Sequence, residues 1–90
     1  MDFEWDYDKA RINEDKHGVS FAEASEVFSD DFSSSTPDPD HSYDESRSLI
    51  FGKSREGRLL VVSFIERDDR IRIISARQMT RPERRAYEQR

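Results

Sequence analysis

The sequence has no cysteine, so a disulfide framework and a thiolate metal site are both excluded. With only three glycines there is no phosphate-cradling glycine loop. No apolar run approaches the length of a membrane span, and the acidic start Met1-Asp2-Phe3-Glu4-Trp5-Asp6 lacks the apolar stretch of a secretion signal. A cytoplasmic protein with no cofactor is the expectation. Apolar residues are scarce at 33%, against 39% charged, a balance near that of disordered chains. Disorder is countered by 11% aromatics and by the clustering of apolar residues in Leu59–Ile65 and Ile71–Ala76. Ninety residues then suffice for a single domain, 1–90, with a thin core and little spare stability.

Charge is divided unevenly. Residues 1–46 hold three Lys/Arg against 14 Asp/Glu, whereas residues 47–90 hold 12 Lys/Arg against six Asp/Glu. Eleven of those 12 are arginine, with Lys53 the exception. Arginine's planar fork suits phosphate, so the second half is the candidate nucleic-acid surface. A solvated face with internal ion pairs is the competing interpretation.

The pattern along the chain predicts an α+β fold. Phe3-Glu4-Trp5 alternates as a short strand, and Asp6 caps a helix over Tyr7–Lys16 that ends at His17-Gly18. Ser20 and Glu23 form a capping-box pattern for a second helix through Phe28. Residues 29–46 are rich in Ser, Asp and Pro and predict an exposed acidic loop, with room for an edge strand near Phe32–Thr36. Three strands follow, Arg47–Lys53, Arg58–Glu66 and Arg70–Arg77, as an antiparallel meander. Thr80-x-x-Glu83 with Pro82 caps a last helix to about Tyr87.

If the last hairpin pairs Glu66 with Ile71, the pleat sorts its faces. Leu60, Val62, Phe64, Ile71 and Ile73 face a helix-covered core. Val61, Ser63, Ile65 and Arg67 share the other face with Arg70, Arg72, Ile74 and Ala76, and Arg77 starts from the core side. A one-residue bulge would reverse that sorting.

Four segments in order resemble the BrnT toxin family. They are Phe3-Glu4-Trp5-Asp6, Lys16-His17-Gly18-Val19-Ser20-Phe21-Ala22-Glu23-Ala24, Arg70-Ile71-Arg72-Ile73-Ile74-Ser75-Ala76-Arg77, and Thr80-Arg81-Pro82-Glu83-Arg84-Arg85-Ala86-Tyr87-Glu88. Pro39-Asp40-His41 lies where many members carry a similar loop, while Tyr7, where a proline is common, and the acidic Asp30–Asp44 stretch depart from the pattern. The resemblance implies a RelE-like fold, with two N-terminal helices and a C-terminal helix on the sheet. It also implies metal-independent endoribonuclease activity that stops translation. The implied partners are RNA and a BrnA-like ribbon-helix-helix antitoxin, in a heterotetramer of two toxins and two antitoxins. Operator DNA would be reached only through the antitoxin.

In such a nuclease the ribose 2′-OH attacks the neighbouring phosphate, which requires a base, cations at phosphorus and an acid for the leaving oxygen. Arg72 is the first candidate for a phosphate clamp, set against a plain surface arginine. Arg77 ends the last strand and is either a second clamp or a structural ion pair. His17 is an acid/base candidate or a cap on the helix end. Glu66 is a base or an ion-pair partner, and Tyr87 stacks on a base, donates a proton or packs in the core. Lys53, Arg55, Arg58, Arg67, Arg70 and Arg81 are candidates to track the RNA backbone, or exposed charges with no specific task. Asp38, Asp40, His41 and Asp44 carry hard-cation donors without a binding-loop spacing, and a solvated loop is the preferred interpretation.

Overall fold

A computed structural model describes residues 1–40 and 46–89. Asp2–Glu4 (β1) opens the chain, followed by helix α1, Tyr7–His17. Asp6 caps α1 by accepting the Lys9 N–H at 3.0 Å. Gly18 closes it in the left-handed region, φ 70°, where glycine pays no steric penalty, and its N–H reaches the Glu14 carbonyl. Helix α2, Phe21–Glu26, runs into a 3₁₀ turn at Val27–Ser29, so the expected single helix through Phe28 is tightened in its last turn.

The Ser20–Glu23 capping box forms only halfway. Ser20 Oγ accepts the Glu23 N–H at 3.0 Å, but the Glu23 carboxylate turns away to Arg58 and Ser54. Helix α3, Arg81–Glu88, has the complete box with Thr80 and Glu83.

Four further strands, β2 (Ser34–Pro37), β3 (Arg47–Lys53), β4 (Leu59–Arg67) and β5 (Arg70–Gln78), complete one sheet in the order β1-β5-β4-β3-β2. The expected antiparallel meander holds for β3, β4 and β5, and β2 joins antiparallel as an edge strand within the acidic segment. The sheet as a whole is mixed, because β1 lies parallel to β5. A crossover through both N-terminal helices separates β1 from the meander, and such a connection permits parallel pairing.

Glu66 pairs with Ile71 as the hairpin arithmetic predicts, through the tight turn Asp68-Asp69. Asp68 takes φ 53°, a conformation aspartate tolerates better than most residues. The register then shifts. Phe64 pairs with Ile73, but Ser63 pairs with Ser75, leaving Ile74 as an extra residue in β5. This bulge corrects the face sorting beyond it. Ala76 enters the core at 1% exposure, and Arg77 crosses to the face that carries Arg72.

The core lies between the sheet and the N-terminal helices. Val19, Phe21, Ala24 and Val27 pack on Ile50, Leu60, Val62, Phe64, Ile71, Ile73 and Ala76. Phe28 bridges Phe3 and Phe64 through tilted and edge-on ring contacts. Gly52 permits the close approach of the 3₁₀ turn to β3, since a Cβ there would stand 2.7 Å from Val27 Cγ1. Asn13 is the buried polar residue of weakly apolar α1. Its amide accepts the Ala76 N–H and donates to the Ala76 and Val19 carbonyls, closing the β5 edge beyond the reach of β1. No helix among the described residues is long and apolar enough to cross a membrane.

Candidate nucleic-acid interface

The sheet face opposite the core is ordered in three rows by the ladder register. Arg47, Ile65, Arg72 and Glu4 form the first row, Leu49, Ser63 and Ser75 the second, and Phe51, Val61 and Arg77 the third. Val61, Ser63 and Ile65 are buried, while the arginines extend toward solvent from the margins. The two flanking β5 arginines stand four β4 positions apart, about 13 Å along the strand.

Each of these arginines has a carboxylate partner. Arg72 Nη1 donates to Glu4 Oε2 at 3.2 Å and Arg70 Nη1 to Glu4 Oε1 at 3.4 Å. Those bonds, Arg72's foremost, hold the Glu4 carboxyl below its ordinary range. Arg77 grips Glu83 through both Nη atoms, at 2.8 and 3.0 Å. Glu83 is held down at about 2, chiefly by Arg77, and its Oε1 also accepts the Thr80 N–H. One glutamate therefore caps α3 and neutralises Arg77. These are the ion pairs of the structural interpretation, yet Arg72 and Arg77 remain 32% and 40% exposed, within reach of a competing anion.

Helix α3 lies along the Phe51 end of this face. Pro82, Glu83, Ala86 and Tyr87 line a cavity of about 360 Å³ with Phe51 and Ser34. The Tyr87 hydroxyl donates to Asp30 Oδ2 at 2.5 Å, tying the helix end to the loop after the 3₁₀ turn. Asp30 also accepts the Lys53 and Phe32 N–H groups. Burial pushes the Asp30 carboxyl up, but the Tyr87 hydroxyl and those two amides outweigh it and hold it below its usual value.

The other candidate residues are dispersed. Arg67 pairs with Arg70 at the hairpin end, and both are exposed. Glu66 is exposed and, by strand alternation, points to the helix side, away from Arg72. His17 ends α1 and lines a shallow groove with Lys9, Ile12, Asn13, Lys16, Ile74 and Ser75 at the β5 edge. Arg81 opens α3 and is exposed.

Arg58 is committed elsewhere. Its Nε donates to Glu23 Oε2 at 2.9 Å, its Nη2 to the Gly18 carbonyl at 2.8 Å, and Nη2 also meets Glu23 Oε1. Arg58 is the main reason the buried Glu23 carboxyl sits at about 2. Lys53 and Arg55 use their backbone N–H groups on Asp30 and Glu26. Asp38 is buried and caps its own turn, its Oδ1 accepting the Asp40 N–H. His41 and Asp44 lie outside the described residues, and among the described residues no cluster of three metal-ligating side chains occurs.

Sequence reasoning missed Glu4, Glu83, Asp30 and Asn13. Glu83 carried a signal as a capping residue, but its second role required the bulge that turns Arg77 toward it.

The comparisons agree with this architecture. A family model described as the ribonuclease toxin BrnT of a type II toxin-antitoxin system matches residues 5–83. No curated protein matches the chain. The crystal structure of the Brucella abortus ribonuclease toxin BrnT is similar in fold, with TM-score 0.70 and 23% identity, over 90% of this chain and 99% of that one. The family match spans most of the chain, from Trp5 into the capping box of α3, and the chain belongs to the BrnT family of ribonuclease toxins of type II toxin-antitoxin systems.

Proposed function

We propose that this toxin is a RelE-like, metal-independent endoribonuclease of one domain, and that the Arg72–Arg77 face is its working surface. The observation that supports this most is the Ile74 bulge, which sets Arg77 on the same sheet face as Arg72. Two guanidinium groups on a rigid sheet supply donors where negative charge builds at phosphorus.

In the proposed reaction the ribose 2′-oxygen forms a bond to phosphorus and the P–O5′ bond breaks. The 2′ proton passes to a base, and the leaving oxygen takes a proton from an acid. Arg72 and Arg77 exchange their carboxylate partners for phosphate oxygens. Glu4 and Glu83 stay on the protein as the displaced counter-ions. Tyr87, which lines the cavity under α3, would stack on a base. Arg67, Arg70 and Arg81 extend the positive margin along the RNA backbone. His17 and Glu66 lie away from the arginine pair and take no part in the proposed step. Cleavage would stop translation in the cytoplasm. A BrnA-like ribbon-helix-helix antitoxin would neutralise two copies in a heterotetramer and carry the DNA contact.

Purified chain should cleave single-stranded RNA in the presence of EDTA, and Arg72→Ala should lower the rate about 10²-fold without loss of folded protein. Tight binding with the RNA left intact would replace the nuclease by a non-catalytic RNA-binding module.

A further inference from the structure

Ser63 lies at the centre of the arginine face. Among the buried side-chain nitrogen and oxygen atoms of the described residues, its Oγ alone has no hydrogen-bond partner. The residue as a whole is 7% exposed. Buried hydroxyls are nearly always paired, and an orphan calls for an explanation.

Its position supplies one. Val61 and Ile65, two residues to either side on β4, pair with Arg77 and Arg72. Ser63 is therefore midway between the two guanidinium-bearing rows, about 7 Å along the strand from each. Its ladder partner Ser75 is exposed, and the bulge interrupts the β4–β5 ladder between Ser63 and Phe64. Strand alternation aims Ser63 away from the core, since Val62 and Phe64 on either side both pack in it.

We propose that Ser63 Oγ is a third donor of the phosphate site, giving its hydrogen bond to a non-bridging oxygen of an RNA phosphodiester drawn between Arg72 and Arg77. The proposal rests on the reading of this face as the RNA site. With Arg72 on Glu4 and Arg77 on Glu83, the hydroxyl has no acceptor and almost no exposed surface, so the side chains over Ser63 must move aside when the phosphate seats. A phosphate that takes both guanidinium groups from their carboxylates brings the acceptor with it. A donor fixed in a water-excluded position needs no reorganisation when charge develops, and the stability lost to an unpaired hydroxyl is the cost of holding it there.

The test compares Ser63→Ala and Ser63→Thr with the wild-type chain. Three quantities are read: the thermal midpoint, kcat and KM for RNA cleavage, and Kd for the same RNA carrying a 2′-deoxy sugar at the cleavage position. Alanine should leave the midpoint unchanged or raised, lower kcat about 10²-fold, and weaken the non-cleavable RNA about tenfold. Threonine, which keeps the hydroxyl, should recover most of both losses. Wild-type cleavage and affinity in a folded Ser63→Ala protein would overturn the proposal. So would a lowered midpoint, which would show that the hydroxyl has a structural partner. If the wild-type chain binds RNA but does not cleave it, the nuclease reading fails by itself, and Ser63 is judged on the Kd comparison alone.

Discussion

β4 is buried on both faces, yet the two faces differ in kind. On one, Leu60, Val62 and Phe64 have Ile50, Ile73 and Ala76 among their cross-strand neighbours, under α1 and α2. On the other, Ile65 lies between Arg47 and Arg72, and Val61 lies between Phe51 and Arg77. The first face is closed mainly by apolar contact, with Asn13 and Glu23 as hydrogen-bonded polar members at its edges. The second is apolar at its floor and cationic at its margins, with a carboxylate drawn from β1 or α3 against each β5 arginine. A continuous apolar strand thus serves stability on one side and presents charge on the other, and its cross-strand partners tell the two apart.

The largest loss is expected on the helix-covered side. Phe21 is 2% exposed and meets Trp5 edge-on. Phe21→Ala should cost about 3–5 kcal/mol, a large part of the stability of a domain this small. A denaturant titration would show it as a lowered midpoint. RNA cleavage by the fraction still folded should keep its wild-type rate, because the substitution leaves the arginine rows in place.

A smaller effect distinguishes the ion pairs by pH. Glu23 and Glu83 are each held at about 2 against an ordinary 4.5, by Arg58 and Arg77 respectively. Their carboxylates contribute stability that is present above pH 4.5 and lost as the pH falls from there toward 2. The thermal midpoint should be level from pH 7 to about 5 and fall steeply below 4.5. Arg58→Met should cost about 2 kcal/mol at pH 7, moderated because Arg58 is partly exposed. It should also flatten part of the acid limb. An acid limb unchanged by Arg58→Met would show that the Glu23 pair contributes nothing to it.

Much of this architecture was legible before the structure. Asp6, Ser20 and Thr80 announced three helix starts, Gly18 a helix end, and Glu66 opposite Ile71 the hairpin register. These are local signals, complete within a few residues. The bulge at Ile74 had no such signal, because Ile73-Ile74 reads equally well as regular strand, and the shift depends on how β5 meets β4 and α1 together. Asn13 was obscure for the same reason: an asparagine on a weakly apolar helix reads as solvent-facing until the β5 edge is seen beneath it. The parallel place of β1 depended on the path of both helices. For the candidate site, Arg72 was correctly placed on the non-core face, whereas Arg77 and Ala76 were exchanged by the one residue the periodicity could not count. Arg58 showed its commitment to Glu23 only when the two, 35 positions apart, met in space.

As proposed above, the bulge makes Arg72 and Arg77 a single phosphate site. A double-mutant cycle measures it directly, from RNA cleavage rates of Arg72→Ala, Arg77→Ala and the double variant, with folding checked for each. Two donors on one phosphate predict that each single change costs about 10²-fold and that the double variant loses far less than the product of the two. A wild-type rate for Arg77→Ala, or losses that simply multiply, would contradict it.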